Sequence, residues 1–102
     1  MRLYDLARVL RSKNSGPYEI TLDILFDDPA NYRRVLDSGL ITRESIAALY
    51  HLSPESIVEF VCYDAALGIK ITYLREVASG TVGDRDVYGA QQHAPLMDID
   101  IP

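Results

Sequence analysis

Apolar and polar side chains alternate most sharply near the start of the chain, where Ile20, Leu22, Ile24 and Phe26 are interleaved with Glu19, Thr21, Asp23 and Leu25. A period of two is the repeat of a strand with one face on a core, so residues 18–26 are predicted to form one. Residues 57–63 and 67–74 are rich in β-branched and aromatic side chains, and only Asp64-Ala65-Ala66 separates them. An antiparallel hairpin is expected there. Between these strands the pattern turns helical. Asp28-Pro29 supplies an N-cap acceptor and a proline at the first helical position, Tyr32, Val35 and Leu36 form a stripe, and Gly39 suits the end. Thr42 is a second N-cap ahead of Ile46, Ala47, Leu49 and Tyr50, a helix of roughly two turns that Ser53-Pro54 closes.

Other segments are less regular. Leu3, Leu6, Ala7 and Leu10 lie at helical spacing, yet a strand over residues 2–10 is equally compatible. Arg11-Ser12-Lys13-Asn14-Ser15-Gly16-Pro17 is a run of loop formers and reads as a loop carrying two cations. Residues 77–95 lack periodicity, and long aperiodic segments in compact domains are often functional. Leu96 to Ile101 alternates again and predicts a last strand at a sheet edge. Together these elements predict an α+β fold, a two-layer sandwich with helices on one face of a mainly antiparallel sheet. No internal repeat, linker or low-complexity tract interrupts it, so residues 1–102 are read as a single domain.

Composition narrows the class. With 102 residues, 48% of them hydrophobic and 25% charged, the chain has the makings of one folded core. Ten Lys and Arg against fifteen Asp and Glu give a net charge of −5, which repels nucleic-acid phosphates and argues against DNA or RNA as a partner. The single cysteine excludes an internal disulfide, and neither a signal peptide nor a bilayer-length apolar run is evident. A cytoplasmic protein that does not enter membranes is expected.

Two stretches carry candidate chemistry. Arg11, Ser12, Lys13 and Asn14, with Ser15 and Gly16, offer cations, hydroxyls and an amide of the kind that hold a carboxylate or phosphate. The stretch lacks the phosphate-loop pattern, and a solvated turn explains it as well. Asp84, Asp86, Tyr88, Gln91 and Gln92 supply further ligand-binding groups, with His93 as the acid or base that an imidazole can be near neutral pH. Turn chemistry at Gly83-Asp84 and backbone satisfaction by the glutamines is the plainer account. No cysteine pair or His-x-x-x-His spacing fixes a metal geometry, and no metal site is assigned.

Several other features have ordinary explanations. Cys62, between apolar neighbours, reads as a small buried hydrophobe, and His51 as a histidine at a helix end. Gly80-Thr81-Val82-Gly83 matches a nucleic-acid-binding Gly-x-x-Gly loop only superficially, without basic residues at its variable positions. Residues 42–60 have the spacing of a helix-turn-helix, but the would-be recognition segment carries Glu55 and Glu59 with no Lys or Arg until Lys70, which opposes DNA docking. The seven tyrosines suit a partner surface or a core boundary equally.

Arg11-Ser12-Lys13-Asn14-Ser15-Gly16-Pro17, then Thr21 to Asp28, and finally Asp86-Val87-Tyr88-Gly89-Ala90-Gln91-Gln92-His93-Ala94-Pro95-Leu96 are the strings by which the chain resembles the family called domain of unknown function 4387. The resemblance spans essentially the whole chain. It implies a small bacterial-type cytoplasmic protein found beside, or joined to, proteins similar to the acyclic terpene utilisation protein AtuA, so a larger AtuA-like protein is the implied partner. Residues 11–16 also resemble an Arg-Ser-Gly-Asp-Lys-Gly stretch in the small, ferredoxin-like C-terminal domain of AtuA-like proteins: Arg11, Ser12 and Gly16 match, and the cation has moved to Lys13. The implied role is a subunit or stand-alone accessory domain that binds an anionic organic acid or acyl-CoA, with hydration or dehydration, a hydro-lyase type of reaction, as the implied chemistry. Nothing in the chain identifies a cofactor. A homo-oligomeric or regulatory interaction module without catalysis is the alternative.

Overall fold

The computed structural model describes residues 1–16, 18–74 and 94–102. In chain order it contains α1 (Leu3–Leu6), β1 (Val9–Gly16), β2 (Glu19–Leu25), α2 (Pro29–Ser38), α3 (Arg43–Leu49), β3 (Ile57–Tyr63), β4 (Gly68–Leu74) and α4 (Ala94–Met97). The strands form one antiparallel sheet in the order β1-β2-β4-β3, and the α+β class expected from the pattern is the one observed. The finer ferredoxin-like arrangement is not confirmed. That unit runs β-α-β-β-α-β, whereas the strands and the two longer helices here run β-β-α-α-β-β.

Register explains the two faces. Ile20, Leu22 and Ile24 of β2 stand opposite Tyr73, Ile71 and Ile69 of β4; the four isoleucines and Leu22 are almost completely buried, and Tyr73 is 4% exposed. These side chains form one cluster with Tyr32 and Val35 of α2, Ile46 and Ala47 of α3, Leu3 and Leu6 of α1, and Leu96 and Ile101. The helices therefore cover this face, and each fully buried Leu or Ile contributes about 1.5–3 kcal/mol of transfer free energy. The opposite face carries Arg11 and Lys13 of β1, Thr21 and Asp23 of β2, Lys70 and Thr72 of β4, and Glu59 of β3.

Local chemistry sets the helix ends. Asp28 accepts a hydrogen bond from the Ala30 amide at 2.9 Å, Pro29 opens α2, and Gly39 closes it at φ 70°, a left-handed conformation that costs glycine little. At α3 the capping is reciprocal: the Ser45 amide donates to Thr42 Oγ1 at 3.0 Å and the Thr42 amide to Ser45 Oγ at 2.9 Å. The helix ends before Ser53-Pro54, at His51, whose φ is 58°. The Leu52 amide donates to the Ala47 carbonyl and the His51 amide to that of Ala48, the paired bonds of a Schellman motif.

Several expectations are corrected. Residues 11–16, read as a loop, are the body of β1, paired from Val9↔Leu25 to Gly16↔Glu19. Cross-strand pairing outweighs the turn preference of Ser, Asn and Gly, because strand propensity depends mostly on context. The N-terminal ambiguity resolves into both forms, a single helical turn followed by the strand. Residues 96–101 are not a strand: α4 precedes an isolated bridge between Arg2 and Asp100. The Leu3 amide donates to the Ile99 carbonyl at 2.8 Å and the Ile101 amide to that of Met1 at 2.6 Å, so this end is tied to the N-terminal turn rather than to the sheet. Cys62 is exposed, not buried, because β3 is an edge strand. The would-be recognition segment that carries Glu55 and Glu59 is a short 3-10 turn, Pro54–Ser56, leading into β3.

Candidate functional site

Strand alternation divides the first candidate cluster. Arg11 and Lys13 are exposed on the open face of the sheet, while Ser12, 7% exposed, and half-buried Asn14 belong to the face that the helices cover. The four side chains do not converge on one point. Asp84, Asp86, Tyr88, Gln91, Gln92 and His93 lie outside the described residues.

On the open face the polar groups are organised in rows across the strands. Arg11 stands beside Asp23, which stands beside Lys70, and Arg11 Nε donates to Asp23 Oδ2 at 2.9 Å. In the next row come Lys13, Thr21, Thr72 and Glu59. The Thr21 and Thr72 hydroxyls lie 3.0 Å apart, both residues are buried, and Thr72 Oγ1 donates to Glu59 Oε1 at 3.2 Å. Lys70 Nζ is 3.7 Å from the same carboxylate oxygen. A bulge between Ile57 and Glu59 puts two residues of β3 opposite one of β4, and both Val58 and Glu59 line a shallow cleft of about 320 Å³ with Ser15, Glu19, Thr21, Lys70 and Thr72.

This site is one that reading the chain linearly misses. The signal was present in the polar positions of β2 and β4, which alternate with the isoleucines, but only the register of three strands brings them together. Chemically the face offers hydroxyls, ammonium groups and carboxylates in fixed positions. Arg11 is held by Asp23 and Lys70 leans on Glu59, whereas Lys13 has no ion-pair partner among the described residues. Those residues contain no group of three His, Cys, Asp or Glu able to hold a metal ion, and none of their helices is long and apolar enough to cross a membrane.

A second polar cluster sits where the β3–β4 connection meets α2. The Tyr32 hydroxyl donates to Asp64 Oδ1 at 2.7 Å. Burial first, and then Asp64, push the Tyr32 phenol up to about 12. Cys62 nearby is also raised, by partial burial and by Asp64, which holds it in the thiol form and makes it a poor nucleophile. Tyr50, stacked against Tyr73 with centroids 5.2 Å apart, is raised by burial and by that neighbour. These groups serve packing.

The fold and the open face together define an α+β domain that presents a polar, charge-patterned sheet surface. The family model of a domain of unknown function (DUF4387) matches residues 3–100, and the chain belongs to that family. No curated protein and no solved structure matched it.

Proposed function

We propose that this chain is an accessory domain or small subunit of an AtuA-like enzyme system, and that its open sheet face holds the anionic group of a small organic acid or acyl-CoA. The observation that supports this reading is Lys13, an exposed cation without an ion-pair partner among the described residues, standing beside the Thr21–Thr72–Glu59 row and next to the Arg11–Asp23 pair. Ser15, Thr21, Thr72 and Lys70 line the cleft on this face together with the carboxylates of Glu19 and Glu59, and Lys13, next to Thr21 across the strands, adds the ammonium group that an acidic oxygen would take. In the same proposal His93 carries the proton in a hydration or dehydration shared with the partner, a role that rests on the sequence. Co-expression with an AtuA-like protein tests it: the two are expected to co-purify, and Lys13→Ala is expected to lower the activity of the pair by about tenfold, the worth of one charge-assisted contact. Failure to associate at micromolar concentration, or full activity in the Arg11→Ala/Lys13→Ala double variant, overturns it.

The alternative, a non-catalytic module that assembles with itself, is favoured by β3. This strand is at the edge of the sheet and exposes Val58 and Tyr63 to 48% and 47%, and edge strands are templates for pairing. A dimer in sedimentation that Val58→Lys dissociates supports it, and a monomer at every concentration rejects it.

A further inference from the structure

A second cleft lies away from the open face. It lies where α1 turns into β1 beside α4, has a volume of about 460 Å³, and is lined by Tyr4, Ala7, Arg8, Val9, Leu10 and Met97. Four of these six side chains are apolar, one is a phenol and one is a guanidinium. Small-molecule sites combine apolar lining with a few polar groups, and the volume lies within the ~300–1,000 Å³ found for such clefts.

Arg8 sets this cleft apart. The other described arginines are engaged: Arg2 with Asp5 and Asp98, Arg11 with Asp23, Arg33 over the Tyr32 ring, Arg34 with the Pro102 carbonyl and Arg43 with the Ile57 carbonyl. Among the described residues Arg8 is the arginine whose guanidinium has no partner, and it is an exposed residue of the cleft's lining. The Tyr4 ring is steadied by the Arg2 guanidinium, 5.7 Å from its centroid, and Arg2 is itself neutralised by two carboxylates. One planar cation with paired N–H donors fits one carboxylate. A second negative charge on the ligand would find no partner among the cleft's described residues, in a chain whose net charge is already −5.

We propose that this cleft binds a monocarboxylate bearing a short apolar chain, with Arg8 taking the carboxylate and the apolar residues of the lining the chain. The site needs no second protein and is separate from the open-face row that Lys13 joins. Hexanoate titrated into the isotope-labelled, purified chain, followed by amide chemical shifts, is the test. The expected result is saturable shifts concentrated at residues 4–10 and 97, absent with hexylamine and weak with succinate. Arg8→Gln should weaken hexanoate about tenfold, in line with loss of a charge-assisted pair, while Arg33→Gln, which removes the same charge elsewhere, should not. The amide spectrum of each variant reports its folding, and Ala7→Leu, which narrows the cleft from its wall, should also weaken binding. Shifts centred elsewhere, equal binding by Arg8→Gln, or equal response to hexanol overturns the proposal.

Discussion

Tyr32 joins two parts of the molecule through one side chain: its ring packs edge-on against Phe26 at 5.8 Å and its hydroxyl reaches across to Asp64. Because the fold favours the neutral phenol, ionisation opposes folding. The unfolded phenol titrates near pH 10 and the folded one near 12, so this contribution to stability is complete below about pH 10 and is lost as pH rises through about 12. Tyr32→Phe should cost about 1 kcal/mol at neutral pH through the lost hydrogen bond, and chemical denaturation should show the gap to the parent closing as pH rises from about 10 toward 12. His51 presents the opposite opportunity. It holds a left-handed φ of 58° with an exposed side chain, a conformation that costs a non-glycine residue roughly 1 kcal/mol. His51→Gly is expected to raise stability by up to about 1 kcal/mol, measured as an increase in Tm.

At the scale of elements, what is legible in the chain is what local chemistry fixes. Asp28, Pro29 and Gly39 bound α2 because the cap, the first turn and the left-handed exit each require only neighbours in sequence, and Thr42 begins α3 for the same reason. The β3–β4 hairpin is equally local. β1 is not, since Arg11, Lys13 and Ser15 look outward and only Leu10, Ser12 and Asn14 look inward, so its strand character comes from pairing with β2 and leaves no apolar alternation to read. The candidate site divides likewise. Arg11 and Lys13 stand out as cations in a short polar run, but Thr21, Glu59, Lys70 and Thr72 become neighbours only through the register of β2, β4 and the bulged β3. The cleft at Arg8 depends on a helical turn, a strand end and α4 meeting, which no spacing along the chain encodes.

Across the whole molecule, the most distant parts of the sequence share the core. Leu3, Leu96 and Ile101 are each 0% exposed and extend the cluster beyond the edge of the sheet. Ile101→Ala should therefore cost about 2–5 kcal/mol, the range of a large-to-small change in a packed interior, although the residue is next to the last. Urea denaturation checks it, and a loss below about 0.5 kcal/mol, the usual size of a surface change, would show that this end of the chain does not hold the core. The same clasp has a topological consequence. With the Met1 carbonyl bonded to the Ile101 amide, residues 1 and 101 lie side by side, and a linker of a few residues would join them. Opened instead at the Asp64–Ala66 turn, such a circular permutant would run β4, β1, β2, β3 along the chain while the sheet kept its order β1-β2-β4-β3, leaving the contacts of Leu3 and Ile101 inside the chain.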